Sequence, residues 1–268
     1  MEYFVKESSI VRKIWSKGDT ILLIFAGSAA EFAVNKAVDW LYFTGRLPAD
    51  PIGRLFSTVS YARQIIFAER HIALHAINKI TKIHETVEKN RGEKIPDWAY
   101  RDVLFMLIDY SIRSFELLER KLTAVEKQDV VLVFNDLGYN MGLKGLPEHY
   151  SAWCEMRDVH LSENLVYSKF TTHLYKQYRK HLGWFRYQIL LQGQVLVVPN
   201  KVNRLLSLGG TPYLKPAIFL YKLSRTLNLH QLIKNIMLPA AYKKQIADLD
   251  SMPKFKSDYV EPVKSEAI

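Results

Sequence analysis

The sequence predicts an all-α fold, and three observations carry that reading. Apolar residues recur at spacings of three and four through most of the chain, period-two strand patterns are scarce, and helix-starting and helix-stopping residues separate the segments. Helical patterns cover about 20–43, 51–67, 69–89, 97–121, 123–138, 149–180 and 184–207, followed by shorter pieces near 214–227, 229–236 and 239–249. Breaks fall at Leu47-Pro48, Asp50-Pro51, Gly92 to Pro96, Gly142 to Pro147, Gly209-Gly210 and Pro216. Hydrophobic faces recur with no linker between them. The expectation is therefore a single orthogonally packed multi-helix domain over residues 1–250, with a flexible polar tail over 251–268. A long-helix bundle fits less well, because the helices vary so much in length.

The first long pattern contains ILLIFAGSAAEFAV. Glu31 interrupts it, and the unbroken part is about half of the ~20 residues that span a bilayer. It reads as a buried helix with Asp19 or Thr20 as N-cap. The next helix has Asp50 as N-cap and Pro51 at its first position. Its apolar stripe is Ile52, Leu55, Phe56, Val59 and Ala62, with Arg54 and Thr58 four apart on one shoulder. An arginine and a hydroxyl so placed can fix a polar ligand atom, or they can be a helix-edge arginine and a threonine bonded to its own backbone.

The third pattern reads HIALHAINKITKIHETV. Ala73, Ala76, Ile77, Ile80, Ile83 and Val87 form its apolar stripe. On a helical wheel His84 lies roughly 20° from Ile77, while His71 and His75 lie more than about 100° from the stripe centre. His84 therefore points inward, and His71 and His75 face solvent. The three cannot bind one ion on a straight helix. No HExxH surrounds the pair, and Glu88 stands where His84-Glu85 would need its second histidine. By pattern alone, an inward histidine is more often a hydrogen-bonded core residue than a ligand.

In the fourth pattern, Asp109 sits in the apolar run LFMLIDYSI and needs a partner, which Arg113 at i,i+4 can supply. VVLVF at 130–134 could be a strand taken alone, but AVEKQD before it continues a helix. The stretch YSKFTTHLYKQYRKHLGWFRY at 167–187 is the densest mix of basic and aromatic residues. Such a mix can stack on bases or sit at a membrane interface, and it also suits an ordinary amphipathic helix.

Composition bounds the rest. The 268 residues are 49% hydrophobic and 12% aromatic, enough for a substantial core. Cys154 is the single cysteine, so no intrachain disulfide framework exists, which suits a cytoplasmic location. MEYFVKESSIVRK lacks the order of a signal peptide. Lysine and arginine number 37 against 27 acidic residues, a balance of +10 that favours anionic partners. There is no Gly-rich phosphate loop, no Glu-x-x-His pair, no zinc knuckle and no G-x-S-x-G elbow.

The order DPIGRLFST at 50–58, a helix, then IHETV at 83–87 resembles the MpaB and latex-clearing rubber oxygenase family. GDTILLIFAGSAAEFAV at 18–34 is similar to its early buried helix, LFMLIDYSIRSFELL at 104–118 to its central helix, and GLKGLP at 142–147 to its Gly…Leu-Pro link. The likeness covers about residues 18–210. It implies an all-α fold and, as in the rubber oxygenases, a b-type haem. His84 corresponds to the axial histidine and so to the metal ligand. Arg54 and Thr58 correspond to the distal arginine and threonine, Arg54 also being placed to hold a propionate. Ser57 stands where the rubber oxygenases carry a lysine that can cap the iron. Their proposed glutamate base has no match; Asp39 lies in roughly that region and is left unassigned.

The resemblance thus implies a haem-b-dependent oxygenase acting with dioxygen on an apolar, unsaturated or isoprenoid-like molecule. Peripheral contact with anionic membrane through the 167–187 stretch is a further expectation, and nucleic acid is not an expected partner. Two alternatives stand beside this reading: a non-catalytic haem- or lipid-binding helical protein at a membrane surface, and a nucleic-acid-binding module using the same stretch.

Overall fold

A computed structural model of the chain describes residues 2–210. Among these residues every regular element is helical, and extended contacts are limited to isolated bridges between Tyr3 and Glu69 and between Asn35 and Leu165. The all-α expectation holds. The pieces expected at 214–227, 229–236 and 239–249, the flexible tail 251–268, and so the full 1–250 domain boundary lie outside the described residues.

A short helix, α1 (Ile10–Trp15), has no counterpart among the expected patterns. Ser9 caps it, its hydroxyl accepting from the Val11 N–H at 3.1 Å. Trp15 is fully buried and donates from Nε1 to Ser111 at 3.1 Å. Helix α2 (Gly18–Val34) has Lys17 at its N-cap position, so neither Asp19 nor Thr20 caps it; Asp19 instead accepts from the adjacent Thr20 N–H. The pattern expected to run to residue 43 breaks at Asn35. There Asn35 turns extended, its Oδ1 accepts from the Ala37 N–H at 2.7 Å, and its Nδ2 donates to Asp102 at 3.0 Å. The local turn bond and the long-range bond to Asp102 together outweigh local helix propensity. Short α3 (Val38–Phe43) and α4 (Arg46–Ala49) follow.

Helix α5 (Pro51–Phe67) begins as expected, with Asp50 accepting from the Gly53 N–H at 2.9 Å. Helix α6 (Arg70–Arg91) closes on Gly92 at φ 75°, a left-handed cap. Helices α7 (Asp97–Leu118) and α8 (Ala124–Asn140) come next, and α8 contains VVLVF behind a Thr123–Glu126 capping box. The span expected as one helix over 149–180 is divided into α9 (Tyr150–Glu163) and α10 (Lys169–Val197). Between them the chain docks on the end of α2, with the Val166 N–H donating to the Val34 carbonyl at 2.6 Å. Helix α11 (Asn200–Leu206) is the last of the described helices.

Helix α2 runs through the middle, packed chiefly against α7 and α10. Its small residues make that approach possible. A Cβ on Gly27 would lie 2.2 Å from the Tyr110 ring, so only glycine lets that ring cross. The crossing aims the Tyr110 hydroxyl at Glu31, to which it donates at 2.7 Å.

Around Glu31 the core holds an ion network joining α2, α7 and α9. Arg157 donates to both Glu31 oxygens at 2.5 and 2.6 Å and to Asp109 at 2.9 and 3.1 Å. The expected Asp109–Arg113 pair is also present, at 2.6 Å. His160 lies between two carboxylates, with Nε2 3.1 Å from Glu31 and Nδ1 2.9 Å from Asp102. Asn35 and Asn164 donate to the other Asp102 oxygen. Burial pushes the Glu31 pKa upward, but Arg157 and His160 overcome it and hold the carboxyl down at about 2. Burial opposes protonation of His160, yet hydrogen bonds to Asp102 and Glu31 raise its pKa above the ordinary value.

Candidate functional site

Helices α5 and α6 pack on each other and bring two of the three sequence-predicted site residues together. His71 and His75 are exposed, as their wheel positions require, and His84 is half-buried on the inward face. Its ring meets Tyr100 of α7 edge-on, with centroids 5.1 Å apart. Nδ1 of His84 is buried and has no hydrogen-bond partner among the described residues. Such an atom calls for an explanation, because buried polar groups are normally paired.

The electrostatics of His84 follow from its neighbours. Burial is the largest influence and lowers its pKa, and the Arg54 guanidinium lowers it further. Glu88 pulls the other way, and the result is about 4. At neutral pH the ring is therefore uncharged and keeps a nitrogen lone pair for a metal.

Arg54 lies on α5 with its Nη1 3.5 Å from the Ser57 hydroxyl. Ser57 donates to the Arg54 carbonyl at 2.8 Å. Thr58 is exposed, and its hydroxyl donates to the same carbonyl at 3.2 Å. The threonine is thus bonded back to its own helix, and donation to a ligand requires it to leave that carbonyl. Arg54 and Thr58 stand one turn apart on α5, and of the two only Arg54 acts on His84, through its charge.

Two neighbours have roles that the sequence reading did not assign. Glu88, one turn beyond His84, accepts from the Tyr100 hydroxyl at 3.1 Å and from the Ile95 N–H at 3.0 Å. It pins the α6–α7 connection beside the histidine. Burial and Glu88 both raise the Tyr100 pKa, so its hydroxyl remains a donor. The i,i+4 spacing of His84 and Glu88 was a usable signal for one shared face. Nothing local marks Tyr100. Asp39 is engaged elsewhere, with Arg91 at 2.9 Å.

Among the described residues no group of three or more His, Cys, Asp and Glu side chains could hold a metal ion. A free ion has no chelating cage here. One neutral imidazole suits instead a metal whose remaining ligands come with a macrocycle. A groove of about 450 Å³ lined by Arg113, Asp158, Leu161 and Lys201 involves none of His84, Arg54 and Thr58.

The sequence matches the family model described as ER-bound oxygenase mpaB/B'/Rubber oxygenase, catalytic domain, over residues 16–227. The chain belongs to this family. No curated protein matches it. Membership in the MpaB/rubber oxygenase family accounts for the all-helical fold and supports a haem-binding oxygenase fold in general. No helix among the described residues is long and apolar enough to cross a membrane.

Proposed function

We propose that the protein is a haem-b-dependent oxygenase acting on an apolar, unsaturated or isoprenoid-like substrate, with His84 as the axial ligand. The observation that carries the reading is the state of His84: an inward imidazole, kept neutral, with a buried nitrogen that no described residue satisfies. Family membership supplies the class of chemistry. When bound, the haem supplies the redox chemistry that activates dioxygen.

The chain's own residues position and tune. His84 would give the iron a neutral nitrogen donor, and Tyr100 packs edge-on against the imidazole and would hold its plane. Arg54, a permanent cation, pairs with negative charge at the site, whether a haem propionate or charge developing on the reacting oxygen. Ser57 accepts from Arg54 through its hydroxyl, and serine, unlike lysine, would offer a bound haem no amine to cap its iron. Thr58 would donate a hydrogen bond to a bound ligand once released from the Arg54 carbonyl. Half-buried Leu55, Phe56 and Ile80 provide apolar surface on the same two helices. Placing both atoms of one dioxygen across a carbon–carbon double bond yields two carbonyls and needs no outside electrons.

The test is expression with haem precursor, followed by oxygen-uptake and product analysis with an isoprenoid chain. Haem retention, oxygen consumption and carbonyl products are expected, and added imidazole or cyanide should shift the spectrum readily. Haem retention without oxygen uptake toward any unsaturated substrate would instead point to a haem-binding protein.

A further inference from the structure

The longest helical segment is not a rod. Within α10, Gly183 has φ 71° and ψ 171°, a region open to glycine alone. In a continuous helix Tyr175 and Gln194 would stand about 28 Å apart. Instead the Tyr175 hydroxyl donates to Gln194 at 2.9 Å. Gly183 therefore reverses the chain, and α10 is a helical hairpin. Both arms are rooted on α2: Thr171 donates to the Ala33 carbonyl at 2.7 Å, and Gly193 packs on Ala26 and Leu23. Among the described residues the tip stands clear of the core, since a Cβ on Gly183 would meet none of them within 4 Å.

The side chains at this tip are unusual for a free surface. Trp184 is 65% exposed and Phe185 57% exposed, side by side. On the approaching arm Lys176, Arg179 and Lys180 are all exposed and share one helix face. Arg186 does not belong to that face; it is half-buried, with its Nε inside. The sequence that includes the hairpin carries the same sign of charge. From residue 164 to residue 247 the sequence carries thirteen lysines and arginines and no aspartate or glutamate, while the rest of the chain carries 24 basic against 27 acidic residues. The whole positive excess of the protein is concentrated in the region that contains the hairpin.

We infer that the α10 hairpin tip is a docking wedge for anionic bilayers, in which Trp184 and Phe185 enter the headgroup region and Lys176, Arg179 and Lys180 engage lipid phosphates. An aromatic pair flanked by cations matches the layered polarity of that interface, where apolar ring surface goes inward and charge stays at the phosphates. Charge complementarity selects an anionic leaflet. Nucleic acid is the poorer occupant. Non-specific single-strand sites line a groove with stacking rings, whereas this pair stands on a projecting tip, and Phe185 has no polar handle. The inference uses no feature of the His84 site and stands or falls separately from the haem reading.

The experiment is co-sedimentation of the full chain with vesicles of phosphatidylcholine, with and without phosphatidylserine, at low and high salt. Wild type should bind only the phosphatidylserine vesicles, and less as salt rises. Replacing Trp184 and Phe185 together by Ala should weaken binding by about tenfold. Each of Lys176→Gln, Arg179→Gln and Lys180→Gln should weaken it roughly fivefold. Val125→Ser, at a 79% exposed apolar residue on α8, should change nothing. Circular dichroism checks that the variants fold. Absence of vesicle binding at low salt overturns the proposal, including the case where single-stranded DNA binds instead. So does unchanged binding by the aromatic double variant, including the case where that variant merely splits a dimer into monomers.

Discussion

The ion network around Arg157 and the group of side chains around His84 are both polar clusters on one helical scaffold, and they differ in what is left over. In the network every polar atom is matched. Arg157 spends its guanidinium on Glu31 and Asp109, and both nitrogens of His160 face carboxylates. At His84 one ring nitrogen is buried with no partner among the described residues, and of the two charges that act on it the stronger, Arg54, opposes protonation. A closed network specifies how α2, α7 and α9 fit together. An open valence, held neutral at the cost of stability, is where chemistry can enter.

The largest effect should come from opening the closed cluster. Arg157→Met leaves Glu31 and Asp109 buried without their cation and should cost about 3–5 kcal/mol in urea unfolding. Replacing Glu31, Asp109 and Arg157 together by apolar residues of similar size should cost far less, because no charge is then stranded.

pH should sharpen the contrast next. Glu31 has a folded pKa held near 2, below its ordinary 4.5, so its stabilisation is complete above about 4.5 and is lost as pH falls toward 2. His160 has a raised folded pKa, so its stabilisation is complete below its ordinary 6.5 and is lost as pH rises through the folded value. His84 works in the opposite sense to His160. Its folded pKa of about 4 lies below 6.5, so the unfolded chain binds the proton more readily and stability falls between those values on acidification. Urea midpoints across acid, neutral and alkaline pH should give a plateau flanked by two limbs. His84→Leu should flatten the mildly acidic limb of the apoprotein and leave the alkaline limb in place.

Smaller effects should appear in the shell of the open site. Tyr100→Phe keeps the ring against His84 but removes the hydroxyl that Glu88 accepts, and should cost about 1 kcal/mol. Arg54→Gln removes the second-largest influence on His84 and should raise its pKa in an NMR titration, with little change in unfolding midpoint.

The two clusters also differ in how far the sequence revealed them. The open site was legible because it is local. Asp50 and Pro51 start α5, Arg54 and Thr58 share a shoulder by spacing, and the wheel separates His84 from His71 and His75. The closed network was mostly hidden because it is long-range. Asp109–Arg113 is an i,i+4 pair and could be anticipated, but Arg157 lies 48 residues from Asp109 and 126 from Glu31. The same reason explains the missed helix breaks. Asn35 and Val166 leave the helical conformation to satisfy distant partners, Asp102 and Val34, that no local window contains. A break near Gly183 was visible in the pattern. The reversal there depends on the Tyr175–Gln194 bond and the rooting of both arms on α2, neither of which the pattern shows.

The central claim is that the unpartnered imidazole of His84 is the place where haem binds, and spectroscopy of three histidine variants tests it directly. His84→Ala, His75→Ala and His71→Ala should be expressed with haem precursor, checked for folding by circular dichroism, and compared for Soret absorbance and bound iron. The account predicts that His84→Ala folds, losing roughly 1–3 kcal/mol at most, and emerges without haem, while the two exposed variants match wild type. A folded His84→Ala protein with a full Soret band and stoichiometric iron would contradict it.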